Sequence, residues 1–103
     1  MRSIGSKGKE PGHFITPRGI AAGAGGEIIV ADTVRNDLQV FSKEGELLQI
    51  IGKGGDSDVK FDTYDDRGTI FDVVTDAQGR LFVLERRSVT VLSCAAGARS
   101  GRG

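Results

Sequence analysis

The chain has 103 residues, enough for one ordinary domain, and its 14 basic and 14 acidic residues cancel, so the positive excess that argues for nucleic acid or an anionic membrane is missing. A single cysteine, Cys94, excludes an internal disulfide and fits a reducing compartment. No apolar run reaches the roughly 18–20 residues of a membrane span, and Met1 to Lys9 lacks the apolar core of a secretory signal, so a cytoplasmic chain is expected.

Sixteen glycines, against a usual share of about 7%, with two prolines and no Gly-x-y period, predict many tight turns between short strands. Residues 1–18 read as the linker leading into the first unit. Gly19 to Ala22 is a short apolar run that ends in Gly23, Gly25 and Gly26. Glu27 to Ala31 is apolar and β-branched, and Asp32 closes it. Asp37 to Ser42 alternates, with Leu38 and Val40 on one face and Gln39 and Phe41 on the other. Lys43 to Glu46 is a hairpin turn, and Leu47 to Ile51 is a fourth strand. Both faces of the second strand are apolar, as in a sheet covered on both sides. No i, i+3, i+4 stripe survives between the breakers of residues 14–51, which argues against helix.

The pattern then repeats. Residues 52–69 form an acidic loop, and Ile70 to Thr75, Arg80 to Glu85 and Ser88 to Leu92 give three more strands. Gly26 to Asp32 aligns with Gly79 to Glu85, Leu38 to Phe41 with Val89 to Leu92, and Ile4-Gly5 with Ile51-Gly52. A period near 50 falls in the range of propeller blades. Residues 93–103 cannot supply a fourth apolar strand and read as a disordered tail. The fold class is therefore all-β: a partial β-propeller of about two four-stranded antiparallel blades, residues 19–51 and an incomplete 70–92. Propellers close with about four to eight blades, so the remaining blades are missing, and a fragment or truncated product is expected over a ring completed by other chains. Ile28, Val30, Phe41 and Leu48 are expected to carry uncovered apolar surface.

At this point the residues resemble a family. Gly12-His13-Phe14-Ile15-Thr16-Pro17, then Gly26 to Asp32, Asn36-Asp37-Leu38-Gln39-Val40-Phe41 and Gly45-Glu46-Leu47-Leu48 look like an NHL repeat, with Asn36-Asp37-Leu38 in the name-giving place. The second copy is weaker: its Phe-x-x-Pro segment gives way to the Asp-rich stretch, and its turn shortens to Arg86-Arg87. The resemblance implies a six-bladed propeller such as those at the C-terminal end of TRIM-NHL proteins. There the propeller chooses protein or RNA targets while a RING domain carries ubiquitin ligase activity. One cysteine and one histidine cannot supply the four ligands of a RING zinc, so ligase chemistry belongs to a longer parent.

No catalytic, cofactor-binding or metal-binding residue is assigned, and the chain is expected to be no enzyme. The seven aspartates of Asp56 to Asp76 invite a calcium loop, but Lys60 and Phe61 stand where an EF-hand needs a ligand and glycine. Gly52 to Ser57 lacks phosphate-loop spacing. His13, the single histidine, rules out a triad here, and a metal-dependent propeller enzyme would need ligands from other blades. Cys94 reads as an incidental thiol. Asp32, Thr33, Arg35 and Asn36 lie at a strand-to-strand turn, where Asp32 and Asn36 are expected to bond nearby backbone N–H groups. Loops carry recognition, so Arg18, Arg35 and Lys53 are the expected partner-binding residues. A protein partner or ubiquitination substrate is favoured, with RNA the alternative.

Overall fold

The computed structural model describes residues 3–52, 59, 61, 63–64 and 67–92, which contain nine strands and no helix. β1 (Pro17–Ala22), β2 (Ile28–Asp32), β3 (Asp37–Phe41) and β4 (Leu47–Gly52) pair in that order as one antiparallel meander. β5 (Thr63–Tyr64) and β6 (Arg67–Gly68) form a small hairpin. β7 (Ile70–Thr75), β8 (Leu81–Glu85) and β9 (Val89–Leu92) build a second, three-stranded meander. The expected strands therefore stand where their β-branched runs lie, each bounded by glycine or a polar turn.

The two sheets are copies in detail. Ile20 pairs with Val30 in the first as Val73 pairs with Val83 in the second. A register shift falls between Pro17 and Gly19, and its counterpart between Ile70 and Asp72. The copying extends to the segments that lead into each sheet. Gly5 and Gly52 both have positive φ, 79° and 110°. A Cβ on Gly5 would lie 2.8 Å from Cδ2 of the Phe14 ring and nearer still to Cε2, and one on Gly52 2.8 Å from Cδ2 of the Phe61 ring. Phe61 thus stands in the place of Phe14, 47 residues on.

The core lies between the sheets. Period-two alternation places Ile29 and Ala31 of β2 and Leu38 and Val40 of β3 on one face. They pack on Ile70, Val73, Leu81 and Val83 of the second sheet, and Phe61 fills the gap. Burial of each large side chain contributes roughly 1.5–3 kcal/mol. The interval 52–69, expected as a solvated acidic loop, therefore carries a core anchor in Phe61 and a β-hairpin as well. The acidic residues between 53 and 58, and the tail 93–103, lie outside the described residues.

One expectation about exposure fails. Phe41 is 2% exposed, because the Phe14 ring leans on it at 5.8 Å and the segment before β1 covers that end of the sheet. Ile28 and Val30 are half-buried, and Leu48 is open at 52%. The segment before β1 is no passive linker. Lys7 bridges to Phe14, the Gly12 N–H donates to Gln39 Oε1 at 2.7 Å, and Gln39 Nε2 donates to the His13 carbonyl at 2.7 Å.

The sheets approach most closely at β1 and β7. Here the Thr75 hydroxyl donates to the Ala22 carbonyl at 2.8 Å, and the Thr33 hydroxyl to the Ile70 carbonyl at 2.5 Å. Gly19 faces the β7 backbone so closely that a Cβ would lie 2.7 Å from Asp72 Cα and 2.9 Å from Val73 N. Backbone cannot swing aside. Gly19→Ala should accordingly cost about 2 kcal/mol of unfolding free energy through overpacking. Gly23→Ala, whose closest contact is the flexible end of Glu27 and which meets Glu27 Cβ no nearer than 3.3 Å, should stay within about 0.5 kcal/mol. Denaturant melts of the two variants make the comparison, and equal costs would refute the close-approach argument.

Candidate partner-binding rim

Pro17, Asp32, Asp37 and Gly52 pair in a row across the first sheet, so the start of β1, the β2–β3 turn and the end of β4 share one rim. This brings the chosen residues Arg18 and Arg35 to the same end of the sheet. Lys53 follows Gly52 in the chain but lies outside the described residues.

The rim is built on a buried carboxylate. Asp32 has no exposed surface, and its oxygens accept from the backbone N–H groups of Ile15 at 2.7 Å, Thr16 at 3.1 Å and Arg35 at 3.0 Å. A short acceptor at the end of a strand can reach both its own turn and the preceding segment, which explains an aspartate there. The Asn36 N–H closes the turn on the Asp32 carbonyl at 2.8 Å. Asn36 itself has φ 59°, a left-handed conformation that asparagine tolerates better than most residues. Its side chain donates to the Phe61 carbonyl at 3.4 Å and accepts from the Thr69 N–H at 3.2 Å. The turn of the first sheet thereby holds the chain on its way into the second.

Arg35 faces inward. Its side chain is 8% exposed and pairs with Asp37 through Nη2 at 3.0 Å and Nε at 3.1 Å. Its Nη1 donates to the carbonyls of Lys9 and Glu10. The guanidinium is spent on the chain's own fold. Burial pushes the Asp37 carboxyl above its ordinary 3.8; the bond and charge of Arg35 pull it back without cancelling that push, and Asp32 adds to the rise.

Arg18 is exposed at the start of β1, and Val34 at the tip of the β2–β3 turn is 53% exposed. Val34 went unmarked in the sequence because a single valine in a polar turn carries no pattern. Arg86 and Arg87 are exposed at the equivalent turn of the second sheet, where Glu85 stands for Asp32 and accepts from the Thr90 hydroxyl. The opposite rim is a different surface. There Asp76 binds Arg80 at 2.6 Å, and Arg80 lies over the Phe82 ring at 5.5 Å. Among the described residues no three His, Cys, Asp or Glu side chains are grouped to hold a metal ion, and no helix is long and apolar enough to cross a membrane.

Residues 14–41 match the family described as NHL repeat. Residues 14–41 form an NHL repeat. Tripartite motif-containing protein 3 of Mus musculus is 44% identical over 43 residues, and Tripartite motif-containing protein 2 of Bos taurus and of Homo sapiens are each 37% identical over 43 residues. Each match covers 42% of this chain and 6% of the relative. The NHL match takes in Asp32, Arg35, Asn36 and Asp37, the residues that build the rim, and stops before β4. The all-β meanders are those of adjoining propeller blades, as the resemblance implied.

Two measurements probe this network. Asp32→Ala leaves three backbone N–H groups without their acceptor, at about 1–3 kcal/mol each when buried, so a loss of about 3 kcal/mol or more is expected in denaturant melts, against no more than about 0.5 kcal/mol for Val34→Ala. Asp37 has the opposite pH sign from most carboxylates. Its folded pKa is raised, so its contribution is fully present below 3.8 and is lost as pH rises through the folded value. Melts of the parent and Asp37→Asn between about pH 3 and 6 should show the parent losing stability relative to the variant as pH rises. A slope of the other sign would mean that Arg35 outweighs desolvation.

Proposed function

We propose that the chain is a non-catalytic protein-recognition module, and that its partner docks on the rim carrying Arg18 and Val34. The observation supporting this is an exposed cation at the start of β1 and an exposed apolar side chain on the β2–β3 turn, at one end of a sheet held by Asp32. Such a surface is preorganised, which reduces the ordering cost of binding. Lys53, the next residue in the chain after Gly52, is proposed as a further contact from the sequence alone, while Arg35 supports the rim from within. In a longer, cytoplasmic parent that resembles the tripartite motif relatives, the module would select substrates for ubiquitin ligase chemistry carried elsewhere.

A protein partner is favoured over RNA. The chain has zero net charge, and an RNA surface needs a positive groove with aromatic platforms, whereas the Phe14 and Phe41 rings are engaged with each other. A photo-crosslinking residue at position 34 should give a discrete protein adduct that Arg18→Glu abolishes. The same residue at position 44, on the opposite rim, should give none. Equal adducts from both rims, or tight binding of a single-stranded RNA oligonucleotide with a steep salt dependence, would overturn the reading.

A further inference from the structure

Among the described residues two sheet faces remain open, one on each sheet. On the first sheet, Ile20 is 69% exposed and borders a groove of about 440 Å³ lined also by Ile4, Phe14, Ile28 and Val30. On the second, Val74, Leu84 and Val91 are exposed beside the half-buried Phe82. The internal repeat shows what each face fits. Ile20, Ile28 and Val30 occupy the positions that Val73, Leu81 and Val83 occupy in the second sheet. Those three are buried against the first sheet, at 1% exposure or less. The lead-in residues tell the same story: Ile51 and Phe61 are buried in the core, and their counterparts Ile4 and Phe14 are half-buried beside the groove.

The other partner follows in the same way. Ala21, Ile29 and Ala31 make the first sheet's side of the internal contact, and Val74, Phe82 and Leu84 are their counterparts. Each counterpart is bulkier, and the groove offers the room. We infer that the two open faces are the two halves of one interface, and that the chain assembles head to tail. The β7–β8 face of one copy seats on the β1–β2 groove of a second copy, repeating between molecules the sheet-on-sheet contact made within each. A heterologous contact of this kind closes into a ring when its rotation divides the circle. Rings of about four to eight sheets would hold about two to four copies.

Sedimentation equilibrium on the whole chain should show a discrete oligomer that dissociates on dilution. Leu84→Glu and Ile20→Glu alter residues exposed in the single chain, so circular dichroism of each variant should match the parent. Each variant alone should be monomeric. Mixed in equal amounts they should form a dimer of twice the monomer mass and nothing larger, because Ile20→Glu keeps an intact β8 face and Leu84→Glu keeps an intact groove. Val74→Lys should substitute for Leu84→Glu in every arm. A monomeric parent would overturn the inference and point to other polypeptide covering these faces. Assembly that survives either substitution, or variants that fail to pair when mixed, would overturn it as well.

Discussion

Everything at the rim depends on a carboxylate that water never reaches. Asp32 ends β2 with its backbone in the sheet and its side chain turned to three N–H groups, two from the segment before β1 and one from the turn that follows. Remove those bonds and two different pieces of chain lose their common anchor. The β2–β3 turn would no longer place Asn36 in its left-handed conformation, and Asn36 is the group that reaches Phe61 and Thr69. One acceptor therefore links the first sheet to its own lead-in segment and to the path into the second. Glycine makes the link feasible at Gly68, where a Cβ would collide with the Thr33 carbonyl.

The second constraint is the translation of one pattern along the chain. A sheet that is apolar on both faces has to be covered twice. Within the chain each sheet covers one face of the other, and a lead-in phenylalanine seals the seam from the side. Phe61 is buried because a sheet stands on both sides of it, and Phe14 is half-buried because a sheet stands on one. The difference between two equivalent residues measures what a neighbour contributes. Larger side chains at Val74, Phe82 and Leu84 than at Ala21, Ile29 and Ala31 show that the repeat is imperfect in volume while faithful in register.

The strands were legible because β-branched runs between glycines leave few alternatives, and the register followed from alternation. What escaped the sequence were contacts set by segments that carry no period. Phe61 was hidden in an Asp-rich stretch, where charge drew attention away from a phenylalanine 47 residues after Phe14; the shared Ile-Gly pairs at 4–5 and 51–52 were the signal that could have found it. Phe41 looked uncovered because the folding of residues 7–14 over Gln39 and Phe41 cannot be read from strand pattern. Arg35 looked like a docking residue because an arginine in a turn is usually solvated. Asp37, two residues on, gives the reason it is not, since a buried carboxylate beside a strand start needs a cation within reach.

Stability is not the main use of that buried pair. Burial raises the Asp37 carboxyl above its ordinary value despite Arg35, and a buried ion pair is often no better than an apolar one of the same shape. Its use is geometric. The guanidinium is a planar fork with more donors than one carboxylate can take, and the surplus goes to the carbonyls of Lys9 and Glu10. Those bonds fix the lead-in segment over the sheet face where Gln39 holds Gly12 and His13. An apolar pair would fill the space equally well and leave the Lys9 and Glu10 carbonyls without these bonds. The groove bordered by Ile4 and Phe14 owes its wall to this arrangement. The energy given up at Asp37 thus shapes a surface, and shape is what a recognition module must keep.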